Sequence, residues 1–330
     1  MLIQNKNIKL ILNYFGGPLV FCILLLSINS QLHQQAGWHA SVHQLHFALN
    51  SPALLQLMIV ACLMMLNWGI EAAKWRVALN VMSPVSFNKS LKAIFAGNSL
   101  AFFTPNRMGE YFGRILYLKK QQMVPSVSLT IMCSMAQLLV TLLSGCVGLI
   151  YVKEKMIARF GGDSIAPWIN AVMYVTVVVS TVLTIFYFQM PHLVKWMTGR
   201  RWTSRWGAHL RVLEDVNATI LLSILSLSVA RYLVFIVQYF LLFSVFGVTI
   251  NWWQAFWSVS VVFLVIAIIP SMGFLSELGI RWQAGIQVVQ LYSSNITGIF
   301  ATSLAVWIIN LVVPALIGGI LILALKLFRK

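Results

Sequence analysis

"FFTPNRMGEYFGR", residues 102–114, is the stretch on which the reading of this chain turns. It sets a proline, two arginines and a glutamate inside a sequence that is 60% hydrophobic. Proline within a helix removes a backbone hydrogen bond and clashes with the turn before it, so the apolar segment ahead of Pro105 has to break here. That segment, about 90–104, is also short, because at 1.5 Å per residue it cannot cross roughly 30 Å of hydrocarbon. A second short apolar segment, about 254–269, ends at Pro270-Ser271 in the same way. Each restarts as another short helix, which predicts two broken-helix hairpins.

Only 9% of the 330 residues are charged, against about 25% in a soluble domain, and the mean hydropathy is +0.86. Apolar runs long enough to span a bilayer lie at about 8–30, 52–72, 124–151, 167–190, 217–247 and 297–325. The expected fold is an all-α polytopic membrane protein, a single integral membrane domain over 1–330. It has about six full transmembrane helices plus two re-entrant hairpins. The net charge of +16 sits in loops between apolar runs, which fits membrane orientation and anionic headgroups and argues against nucleic acid. Cys22, Cys62, Cys133 and Cys146 lie in apolar runs without metal or disulfide spacing, so no metal site or cofactor is expected. Lys6 and Lys9 precede a first helix that reads as retained.

Basic loops face the cytoplasm. Lys6 and Lys9 place the N-terminus there, and the loop 31–51, without Lys, Arg, Asp or Glu, falls outside. Lys74, Arg76, Lys89 and Lys92 fall inside, as do Lys119 and Lys120 beyond the first broken segment. Carried onward, the count puts Lys195, Arg200, Arg201, Arg205 and Arg211 inside, opens the second hairpin from outside, and returns Lys326, Arg329 and Lys330 to the cytoplasm. The protein is thus expected in the cytoplasmic (inner) membrane with both termini cytoplasmic.

The two hairpins are alike in sequence. "TPNRMGEYFGR" and "IPSMGFLSELGIR" both run proline, glycine, glutamate and, four residues later, arginine: Glu110/Arg114 and Glu277/Arg281. Both members are offset by 167 residues, from 110 to 277 and from 114 to 281. Such a pattern predicts inverted-repeat halves, roughly 52–151 and 217–325, whose broken helices meet near the midplane and build a substrate site. Irregular backbone at that depth requires protein or a watery cavity around it. Helix starts at the breaks would present free N–H groups to an anion. Thr104 is the expected N-cap, with Pro105 at the first helical position. Arg107 adds a phosphate donor. Each Glu–Arg pair, four apart on one helix face, can neutralise itself while the site is empty. Arg231, in the middle of its span, is expected to face the same cavity and to pair with Glu110 or Glu277. Glu71, Lys74 and Arg76 read as the cytoplasmic boundary of the second span.

The remaining polar features read as membrane surface. "WHASVHQLHFAL" is read as an interfacial helix rather than a metal site, despite His39, His43 and His46. "KWMTGRRWTSRW" interleaves Trp196, Trp202 and Trp206 with cations, as a lipid-surface helix does. No hydrolase, P-loop or metalloprotease signature appears, so an enzyme is not expected.

On "GNSLAFFTPNRMGEYFGR" and "IPSMGFLSELGIR" the chain resembles the lysylphosphatidylglycerol synthase transmembrane-region family. This is the flippase-like membrane part of the bacterial multiple peptide resistance factor and of many stand-alone homologues. The resemblance covers about 10–325 and implies an inverted-repeat membrane fold that moves or handles lipids. By motif, Pro105, Gly109, Glu110, Arg114, Pro270, Gly273 and Glu277 carry over. Phe274-Leu275-Ser276 stand where the family often has a glycine-rich turn. The aminoacyl-transferring soluble domain of the full-length enzymes is not in these residues, so lipid aminoacylation by this chain alone is not expected.

The resulting expectation is a flippase-like transporter of an anionic phospholipid or a polyprenyl-phosphate-linked lipid. Its substrate-binding residues would be Thr104, Pro105, Arg107, Gly109, Glu110, Arg114, Arg231, Pro270, Gly273, Glu277 and Arg281. Membrane lipids are the expected partners, with a homo-oligomer or a partner glycosyl- or aminoacyl-transferase as further possibilities. The alternatives are a non-transporting scaffold for such a transferase and a membrane-embedded lipid transferase.

Overall fold

The computed structural model describes residues 53–102, 104–198, 210–269 and 274–328, with helices and no strand among them. In chain order the helices are α1 (Leu54–Leu79), α2 (Phe87–Ala101), α3 (Gly109–Ile115), α4 (Met123–Phe160) and α5 (Ala166–Thr198). There follow α6 (Ala218–Val245), α7 (Trp252–Ile268), α8 (Phe274–Val289), α9 (Ile296–Trp307) and α10 (Val313–Phe328). A π-helical turn, Ile308–Val312, joins α9 to α10.

Five helical stretches are long and apolar enough to cross a bilayer: Leu54–Leu79, Lys120–Phe160, Ala166–Thr198, Ala218–Val245 and Ile296–Leu325. They coincide with five of the six expected spans. The sixth, 8–30, lies outside the described residues, as do the histidine-bearing loop and the tryptophans at 202 and 206. The two short apolar segments form α2 and α7, and each is followed by the expected second short helix, α3 and α8.

Local chemistry sets several of the starts. Asn217 accepts the Ile220 N–H at 2.9 Å at the start of α6. Asn251 and Gln254 exchange side-chain-to-backbone bonds at the start of α7. Asn295 accepts the Gly298 N–H ahead of α9. Each satisfies an amide that the first helical turn leaves unpaired.

The packing has a reciprocal pattern. The long helices α1 and α6 lie against each other, and each carries its neighbouring short helix, α2 on α1 and α7 on α6. Within the short pairs, α2 packs on α3 and α7 on α8. Each first short helix then reaches across the molecule: α2 packs on α10, and α7 on α4. The α2–α10 contact is very close, since a Cβ on Gly318 would fall 1.8 Å from the Phe95 carbonyl oxygen. Only glycine permits such a backbone approach.

Candidate functional site

The turn between α2 and α3 is built by residues that leave the usual backbone regions. Asn106 (φ 49°) and Arg107 (φ 59°) are both left-handed, a conformation costing about 1–2 kcal/mol per non-glycine residue. The turn reverses the chain so sharply that α3 lies back along α2. Cβ atoms on Gly109 and Gly113 would meet the Leu100 carbonyl oxygen at 2.1 Å and the Ala96 carbonyl oxygen at 2.4 Å. Gly109, one of the expected substrate-binding residues, packs here against the backbone of α2.

Thr104, the expected N-cap, accepts the Gly109 N–H on its hydroxyl at 2.6 Å, while Met108 holds the N-cap position of α3. The helix, however, begins at Gly109 and not at Pro105, because the left-handed pair intervenes. This corrects the expected helix start, and the Gly109 amide there is already bonded.

The charged side chains form one connected network. Arg114 on α3 donates to Glu110 on its own helix and, at 2.9 Å, to Glu71 on α1. Glu71 also accepts Lys74 at 2.6 Å and Arg231 from α6 at 2.9 Å. Arg231 further donates to Asn67 at 2.8 Å, and its guanidinium lies over the rings of Trp68 and Phe235. Asn67 donates in turn to Asn310, at 3.3 Å, in the π-helical turn. Arg114 and Lys74 are each 1% exposed and Glu71 4%. In the second pair, Arg281 donates to Glu277 at 2.9 Å and to the Tyr239 hydroxyl on α6 at 2.9 Å.

Arg107 stands between the pairs. Its Nη2 donates to Asn98 at 2.6 Å. Its Nε is 4.0 Å from Glu110 and its Nη1 is 3.9 Å from Glu277. It also lines an open cavity of about 390 Å³ with Asn106, Glu277 and the apolar end of α7, Ile266 to Ile269.

Of the expected site residues, Arg107, Glu110, Arg114, Arg231, Glu277 and Arg281 are thus in one network, and Thr104 and Gly109 belong to the turn that carries Arg107. Nothing is described of the Pro105 side chain, and Pro270 and Gly273 lie outside the described residues. The expected pairing of Arg231 with Glu110 or Glu277 is corrected, since its carboxylate partner is Glu71. Glu71 and Lys74 are likewise buried network members and not a boundary; Arg76 alone of that trio is exposed. Asn98 and Tyr239, both used by the site arginines, had no pattern that singled them out.

The profile of the lysylphosphatidylglycerol synthase TM region matches residues 23–318. The chain belongs to that family. No curated protein matches it. In this family member, Glu110, Arg114, Glu277 and Arg281, taken from the two resembling motifs, are the same side chains that the fold brings to the network. Among the described residues, three carboxylates (Glu71, Glu110, Glu277) meet five cations (Lys74, Arg107, Arg114, Arg231, Arg281), an excess of two positive charges. Arg114 Nε and Nη1 and Arg281 Nε are buried with no hydrogen-bond partner among the described residues. Such a site can neutralise an anion and donate hydrogen bonds to it. Among the described residues no group of three or more His, Cys, Asp or Glu could hold a metal.

Proposed function

We propose that this membrane protein moves an anionic phospholipid or a polyprenyl-phosphate-linked lipid across the cytoplasmic (inner) membrane. On this reading the two short helix pairs are re-entrant hairpins in inverted halves, both termini are cytoplasmic, and no aminoacyl transfer is catalysed. The observation that carries the reading is the surplus of two positive charges in a mostly buried network beside a cavity walled by Ile266–Ile269. Leaving buried cations unmatched is costly, and a phosphate-bearing headgroup matches them while its chains lie along apolar wall. The reciprocal packing supports the repeat: exchanging α1 with α6, α2 with α7, α3 with α8 and α4 with α9–α10 maps the main contacts onto one another.

Two experiments test it. In proteoliposomes carrying a fluorescent anionic lipid, Arg231→Ala and Arg281→Ala should slow movement between leaflets by ten- to a hundred-fold, as expected for about 1.5–3 kcal/mol per charged hydrogen bond. Exposed controls, Arg76→Ala and Lys92→Ala, should slow it little. Equal losses in both sets would reduce the +16 charge to attraction for the leaflet surface. For topology, Lys120→Cys and Ser294→Cys, both exposed, should react with an impermeant thiol reagent from opposite sides of the membrane. Labelling of both from one side removes the inverted arrangement.

A further inference from the structure

The two helix pairs hold each other lightly. No helix of one packs extensively on a helix of the other. They meet in a small apolar cluster, where Phe102 and Leu278 sit with Phe300, Leu304 and Trp307. The other link is Arg107, which among the described residues makes the one ion pair between the pairs. It is also the least enclosed cation of the network, with its side chain 34% exposed.

The bonding around Arg107 is uneven. Glu110 and Glu277 each turn one oxygen to their own arginine, four residues on, and the other toward Arg107. Those second contacts, at 4.0 and 3.9 Å, are beyond hydrogen-bond length, whereas the bond to Asn98 is short. Arg107 is therefore aimed by Asn98 and attracted by both carboxylates without being hydrogen-bonded to either. A phosphate oxygen entering the cavity could take the guanidinium at about 2.7–2.9 Å, often through two parallel bonds. That contact is shorter than both carboxylate contacts it replaces. The carboxylates keep Arg114 and Arg281, so the loss leaves neither unpaired.

We infer that Arg107 is a latch between the two helix pairs, released when a phosphate-bearing anion takes its guanidinium from Glu277. The latch rests on the transport reading only for the source of the anion; the helix separation it controls is read without any transport assay. The left-handed backbone at Asn106 and Arg107 fits this role, since it presents the side chain from the tip of the turn into the cavity.

The test measures the gap between the tips. Nitroxide labels at Met108→Cys and Ile268→Cys, both exposed, go on the full chain with its other cysteines replaced by alanine. Distances are recorded by pulsed electron resonance in bilayer discs of phosphatidylcholine. The expected result is one narrow distribution that Arg107→Gln broadens and lengthens, on the order of the 5 Å scale of one-turn helix displacements. Arg107→Lys, which keeps the charge, should restore much of the narrow distribution. Asn98→Ala, which leaves every charge in place, should broaden it, and it serves as the second variant if Arg107→Gln does not fold. Adding phosphatidylglycerol to the discs should lengthen the distance in the unsubstituted latch and add nothing to Arg107→Gln. A parallel arm with inorganic phosphate separates the sources: a response to it assigns a free phosphate, and a response to phosphatidylglycerol alone assigns a lipid headgroup. The proposal is overturned if Arg107→Gln and Asn98→Ala leave the distribution unchanged. It is equally overturned if the substitutions lengthen the distance and neither anion does. Loss of lipid movement with an intact latch would instead count against the transport reading.

Discussion

The two helix pairs carry the same Glu–Arg motif and hold it in different ways. In α2–α3 the helices touch backbone to backbone at Gly109 and Gly113. In α8 a Cβ on Gly279 would meet nothing within 4 Å, and one on Gly285 would touch only side chains of α9. The arginines differ as well. Each reaches past its own glutamate to the long helix beside it, Arg114 to the carboxylate of Glu71 on α1 and Arg281 to the neutral hydroxyl of Tyr239 on α6. One half thus anchors its arginine by charge and the other by a dipole. The first pair is closed backbone to backbone and tied into a buried ionic centre, whereas the arginine of the second is tied to a hydroxyl.

Substitutions can break or sharpen this contrast. Glu71→Gln should have the largest effect, because it strips the carboxylate shared by Lys74, Arg114 and Arg231. Removing one side of a buried pair costs about 3–5 kcal/mol, so the melting midpoint of the purified protein in detergent should fall steeply. Gly113→Ala should come next, at about 3 kcal/mol, since the added methyl overlaps backbone atoms of Ala96 and Gly97 that cannot rotate away. Tyr239→Phe should cost less, about 1.5 kcal/mol, the lower end for a hydrogen bond to a charged group. Gly279→Ala should be the smallest and of opposite sign, raising the midpoint through up to about 1 kcal/mol of helix propensity. If Tyr239→Phe proves as damaging as Glu71→Gln, the two halves are anchored alike and the contrast fails.

Much of this was legible in the sequence, for reasons that also mark the limits. Span positions follow from runs of apolar residues, which depend on the bilayer more than on neighbouring helices. The break at Thr104-Pro105 follows from local chemistry, and the Glu110/Arg114 pairing from helical spacing. The partners of Arg231 were not legible, because Asn67 and Glu71 lie 164 and 160 residues away and only the packing of α1 on α6 brings them together. Glu71 misled for a related reason: three charges near the end of an apolar run look like a water boundary when their mutual neutralisation cannot be seen. The start of α3 misled because two left-handed residues overrode the preference of proline for a first helical turn.

Helix α5 stands apart from this scheme. It packs chiefly on α4 and leaves Trp168, Val175, Val178, Val182 and Ile185 uncovered. It also has no counterpart in the exchange that maps one half onto the other. On the proposed topology each half crosses the bilayer an even number of times, since a re-entrant pair returns to its own side. Two such halves joined directly would therefore point the same way. On that topology α5 contributes the odd crossing that turns the second half over, and its role there is one of parity. A helix that only has to cross can vary its outward side chains freely, provided they stay apolar, while losing or doubling it would set both halves in the same orientation.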